Sequence, residues 1–164
     1  MNIDKQLEIL VNEAPEYGVS PEIMDKAVIP VLKFFASQHQ HTDYYVLHTR
    51  DRQWVLTTLK NRDKPQLSKR VIYAFATRKD ATSFQGIINP NIVVVSLPIT
   101  HLLFQMFAVA QVDSIILMDI PNNTMEGIEI ERANLENMIQ QQLRRVKLDP
   151  SSPSQGQTIP PNLA

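Results

Sequence analysis

Between Arg70 and Asp119 the chain carries three short apolar runs, Val71-Ile72-Tyr73-Ala74-Phe75, Ile92-Val93-Val94-Val95 and Ile115-Ile116-Leu117-Met118. Runs of this length suit strands buried on both faces. The segments between them are spaced like helices, so the pattern predicts a βαβαβ unit. Upstream, Ile3, Leu7, Leu10, Val11 and Ala14 recur at helical spacing until Pro15. Ser20 has the chemistry of an N-cap, with Pro21 at the first helical position, and opens a second apolar stripe from Ile23 to Phe35. Pro30 lies inside that stripe and should kink or divide the helix. Tyr44–Thr49 and Gln53–Leu59 are β-rich runs on either side of Arg50-Asp51-Arg52, which predicts an antiparallel hairpin.

The remaining elements follow from their ends. Thr77-Arg78-Lys79-Asp80 has capping-box spacing and predicts a helix from Arg78 to about Phe84, closed by Gly86. Thr100 is expected to cap a helix from His101 to Ala110. A last helix from Glu129 to Val146 places Leu135, Met138, Ile139, Leu143 and Val146 on one face. The fold class is therefore α/β, with α+β as the alternative. It comprises N-terminal helices, a β-hairpin, a βαβαβ unit and a C-terminal helix around one mixed sheet. Residues 1–148 form a single domain on this reading. Residues 149–164, rich in proline and serine, have too little apolar surface to offset ordering entropy and are expected to be a disordered tail.

Composition narrows the function classes. A net charge of −1 gives no global field toward nucleic acid or anionic lipid. The absence of cysteine removes thiol nucleophiles and cysteine-ligated metals, and fits a cytoplasmic protein. No stretch is long and apolar enough to suggest membrane insertion. The four glycines are dispersed, so neither a Walker nor a Rossmann phosphate loop can be built, and no G-x-S-x-G or H-E-x-x-H motif occurs. The reading is of a protein that is not an enzyme and carries no cofactor.

Three local features carry candidate chemistry. His39, His41 and Asp43 could ligate zinc or nickel, or the histidines could simply complement a helix C-terminus. No fixed ligand spacing supports the metal. Lys60, Arg62, Lys64, Lys69 and Arg70 crowd one loop beside Tyr44, Tyr45 and Trp54, a pattern open to RNA or single-stranded nucleic acid or to a solvated loop. The helix His101–Ala110 is apolar nearly all round. Leu103, Phe104 and Phe107 are therefore either core or the contact for a protein partner or a second copy.

The segments Arg70–Ala81, Val93–Pro98 and Ile115–Pro121 together resemble the SseB-like N-terminal domain over roughly Tyr44 to Leu143. In that family a strand leads to a helix opened by Thr/Ser-x-x-Asp/Glu-Ala, then a strand, a Leu-rich helix and a further strand. Where the family often ends that strand in Asn-Pro, this chain has Asp119-Ile120-Pro121. The whole chain also resembles an uncharacterised cyanobacterial protein family, through Tyr44–Leu47, Trp54–Thr58 and Leu102–Gln105. Both resemblances imply a small α/β module acting through protein contacts, and neither supplies a catalytic residue. The function expected is a protein-interaction or regulatory/assembly module, with nucleic-acid binding through the 60–70 loop as the alternative.

Overall fold

Helix α1 (Ile3–Glu13) starts where the Asn2 side chain accepts the Lys5 N–H at 2.8 Å, and runs into a tight 3-10 turn, Ala14–Tyr17, ended by left-handed Gly18. Ser20 caps the next helical run as expected, its hydroxyl accepting the Ile23 N–H. That run comprises α2 (Pro21–Ile23), a π-helical stretch Met24–Val28 and α3 (Ile29–Ala36). Pro30 has no N–H to donate, and its ring crowds the preceding turn, so the helix widens there and continues rather than breaking. The structure, a computed structural model, describes residues 2–60, 62–64, 66–85, 89–108, 111–123 and 126–148. The expected tail at 149–164, the Gly86 stop and the last two residues of the predicted helix His101–Ala110 lie outside the described residues.

Six strands form one mixed sheet: β1 (Asp43–Thr49), β2 (Thr57–Leu59), β3 (Lys69–Phe75), β4 (Ile92–Pro98), β5 (Ser114–Met118) and β6 (Ile128–Glu131). The order is β4-β1-β3-β5-β6, with β2 on the edge of β3 that β1 also touches. The parallel pair is β3 and β5, in register from Val71↔Ser114 to Phe75↔Met118. The α/β class holds, but three details differ from the pattern-based expectation.

The predicted hairpin over 44–59 is not one ladder. β1 pairs along its full length with β4, and meets the second run only through the His48↔Trp54 bridge and neighbouring backbone bonds. The β2 segment pairs instead with Lys69–Val71 of β3. β1 consequently sits between β3 and β4, antiparallel to both, so that the first crossover spans a strand. The second difference is that Ile128–Glu131 is a strand and not the start of the last helix. Ile130, 4% exposed, packs on the core from β6, and α6 (Arg132–Leu148) begins only afterwards. Third, Thr100 is not a cap but lies in the first turn of α5 (Ile99–Ala108), where its N–H and hydroxyl both donate to Oε1 of Gln6.

Helices α1, α3, α5 and α6 cover one face of the sheet over Tyr44, Val46, Ile72, Ala74, Ile115 and Leu117. α4 (Arg78–Gln85) packs on the other face, where Phe75, Ala81 and Met118 are buried together. Gln6, fully buried on α1, also donates from Nε2 to the Thr42 carbonyl at 2.8 Å, so one amide ties α1 to both α5 and the start of β1. Just before β6, Gly127 leaves no room for a side chain. A Cβ there would meet Ile116 Cγ2 at 2.5 Å and Met118 Sδ at 2.7 Å. Gly127→Ala is expected to destabilise by about 1–3 kcal/mol through overpacking; an unchanged denaturation midpoint would show that β6 yields freely. Among the described residues no helix is long and apolar enough to cross a membrane.

Candidate functional site

In open α/β sheets the carboxyl ends of parallel strands gather chemistry, because the chain turns away there and leaves a crevice. Here that end holds Asp119, the residue directly after β5. Its two carboxylate oxygens are engaged separately: Tyr44 OH donates to Oδ1, and Nδ1 of His39 lies 3.1 Å from Oδ2. Nε2 of His41 reaches the Asp119 backbone carbonyl at 3.0 Å. The His39 side chain is 5% exposed and Tyr44 is fully buried, so water has little access. The phenol pKa of Tyr44 is pushed well above its ordinary value, first by burial and then by the Asp119 carboxylate beside it. A neutral donor held on a carboxylate is the consequence, and the cluster ties the chain after α3 and the head of β1 to the end of β5.

A second buried carboxylate supports the same end. Asp80, 5% exposed in the first turn of α4, accepts the N–H of left-handed Asn122 at 3.0 Å, while Thr77 caps the Asp80 N–H at 3.1 Å. The capping-box reading is thus right for Thr77. The Asp80 carboxylate, however, turns to the loop after β5. Asp43 accepts from the Thr42 hydroxyl. Among the described residues no group of three His, Cys, Asp or Glu side chains is arranged to hold a metal ion.

The basic residues separate. Lys60, Arg62 and Lys64 stand exposed on the loop between β2 and β3, and Arg70 is exposed on β3 itself. Lys69 instead points at β6, its ammonium 2.7 Å from Glu129 and 3.9 Å from Glu131. Glu129 also accepts from the Ser114 hydroxyl. The hydrogen bond raises the Lys69 pKa and lowers that of Glu129, each favouring the charged form of its partner. Nor do the aromatic residues form an open stacking platform. Tyr44 is core, Tyr45 is partly open but lies under the Arg78 guanidinium at 5.3 Å, and Trp54 is partly open.

The apolar helix resolves toward the interior. Leu103 and Phe104 are 0% and 1% exposed, and Phe107 is half-buried against the same core. The chain's own α1, α3 and α6 pack against that helix, so Leu103 and Phe104 belong to the core, while Phe107 keeps part of its ring open. His48 and His101 each keep one ring nitrogen buried without a hydrogen-bond partner, and burial lowers the pKa of both, which favours the neutral ring. Sequence reasoning did not single out Asp119 or Asp80. The available signal was a carboxylate placed immediately after a fully apolar strand. No protein-family model matches this chain, and no curated protein matches it significantly.

Proposed function

We propose that this chain is a non-enzymatic protein-interaction or regulatory module that holds an acidic partner through the loop between β2 and β3. One observation carries the reading. Residues 60–68 make that connection much longer than the ~2–5 residues usual for a hairpin, and they combine exposed Lys60, Arg62 and Lys64 with exposed leucine. Leu67 is 57% exposed and Leu59, at its foot, 38%. Leucine beside lysine and arginine suits a protein surface of mixed apolar and acidic character. RNA would be served better by open aromatic rings, and the burial of Tyr44 weighs against that alternative. The family resemblance and the engagement of His39, Asp119 and Tyr44 with one another support the same reading, in a cytoplasmic setting.

The test uses the full chain as bait. Lys60→Glu, Arg62→Glu, Lys64→Glu and Leu67→Ser combined are expected to abolish a salt-sensitive, nuclease-resistant capture of an acidic protein. The melting curve should move by less than about 0.5 kcal/mol, because these positions are on the surface. Capture that persists unchanged in the variant removes the reading, and capture lost to ribonuclease favours nucleic acid instead.

A further inference from the structure

At the opposite end of the sheet from Asp119, on the face that α5 covers, a cleft of about 390 Å³ opens between the segment leading to β2 and the C-terminal half of α5. It is lined by Arg52, Gln53 and Trp54 on one side and by Gln105 and Gln111 on the other. Leu56 and buried Val112 supply the apolar remainder. The size falls in the ~300–1,000 Å³ range of small-molecule sites.

The chemistry of the lining is selective. Three primary amides converge, and among the described residues none of them hydrogen-bonds another protein group. Each offers a donor and an acceptor side by side. Arg52 is the lining's single charge, and it is one of only two described non-glycine residues in left-handed backbone, at φ 65°. Such conformations persist where surrounding structure enforces them, and they gather at binding sites. Trp54 adds a flat π-surface.

We propose that this cleft binds an adenine mononucleotide. The indole stacks on the base, a glutamine amide pairs with the adjacent donor and acceptor on the adenine edge, and Arg52 meets the phosphate. Guanine fits less well, because its O6/N7 edge attracts arginine and would draw Arg52 from the phosphate. One cation matches one phosphate group, and the neighbouring Arg50 is already committed through Nε to the Pro90 carbonyl at 2.6 Å. This mode needs no glycine-rich loop, and so is compatible with a sequence that has none. The base can belong to free adenosine monophosphate or to an exposed adenosine of RNA.

Trp54 is the protein's single tryptophan, so its emission reports the site directly. Adenosine monophosphate added to the full chain is expected to give a saturable change, with guanosine and cytidine monophosphates weaker by roughly tenfold or more. Arg52→Gln should reduce adenosine monophosphate to the affinity of adenosine. Gln111→Leu, at an exposed position, should weaken both by at least about fivefold. Trp54 also borders a separate cleft of about 230 Å³ on the other side, which neither Arg52 nor Gln111 lines, so these two variants assign the response to the proposed site. A short oligoadenylate that binds more tightly than the mononucleotide identifies RNA as the source, and equal affinities identify the free nucleotide. The proposal is overturned if no saturable change occurs, or if all three mononucleotides act alike and both variants leave their binding unaltered.

Discussion

Phe104→Ala is expected to lower stability by about 3–5 kcal/mol, the cost of removing a buried aromatic ring and leaving a cavity that close packing cannot refill. Phe104 is 1% exposed, with the Tyr17 ring edge-on at 5.3 Å and the Phe107 ring at 6.3 Å. Phe107→Ala, one turn on and half-buried, should cost distinctly less, since part of its ring already faces solvent. Urea unfolding of the two variants separates a core helix from an interface helix. Were the two losses equal and small, α5 would be packed more loosely within the chain than this burial implies. The comparison also bears on function, because a helix packed into its own core has less surface left to offer a partner. The exposed leucines of the β2–β3 loop then become the better candidates.

The parallel core was legible because its signals are local. Val71–Phe75 and Ile115–Met118 are apolar on every residue, as strands buried on both faces must be, and they are the neighbours β3 and β5. Ser20 acts as a cap, as its sequence context predicts, because a cap depends on only three or four residues. What escaped was set at long range. β1 and the run after it look like a hairpin by composition, yet β1 finds its ladder with β4, between Asp43↔Pro98 and Thr49↔Ile92 and so roughly a third of the chain away, and nothing near Tyr44–Thr49 encodes that choice. β6 escaped for a different reason. Ile128 and Ile130 alternate at spacing two, but the strong helical pattern from Leu135 onward was extended back over them.

The same division holds for the candidate site. The histidines of His39-Gln40-His41 were visible as a cluster, but their partner is Asp119, and the contact spans eighty positions. Lys69 and Arg70 looked equivalent in a basic run, although side chains on successive strand residues face opposite sides of the sheet. Lys69 accordingly meets Glu129 and Glu131, while Arg70 stays exposed. Charge counted along a sequence overstates charge available at a surface whenever a strand passes through the run.

Asp119→Ala is the other change with a large expected effect, about 3 kcal/mol or more. It strands the Tyr44 hydroxyl, at zero exposure, and Nδ1 of His39, at 5% side-chain exposure, and each buried group left without a partner costs about 1–3 kcal/mol. Adding Tyr44→Phe to Asp119→Ala should recover part of that loss, because removing both members of a buried pair is far less costly than removing one. A double variant no more stable than the single one would mean that the hydroxyl finds another acceptor. The pair also sets the alkaline limit. Burial and the neighbouring carboxylate raise the Tyr44 pKa in the fold above its ordinary value of 10.0. Above about pH 10 the unfolded chain loses this proton while the folded chain keeps it, so the proton's contribution is complete below that pH and declines as pH rises beyond it. Tyr44→Phe, whatever it costs at neutral pH, should therefore lose stability less steeply between neutral pH and strong alkali than the parent, a slope readable from denaturation midpoints across that range.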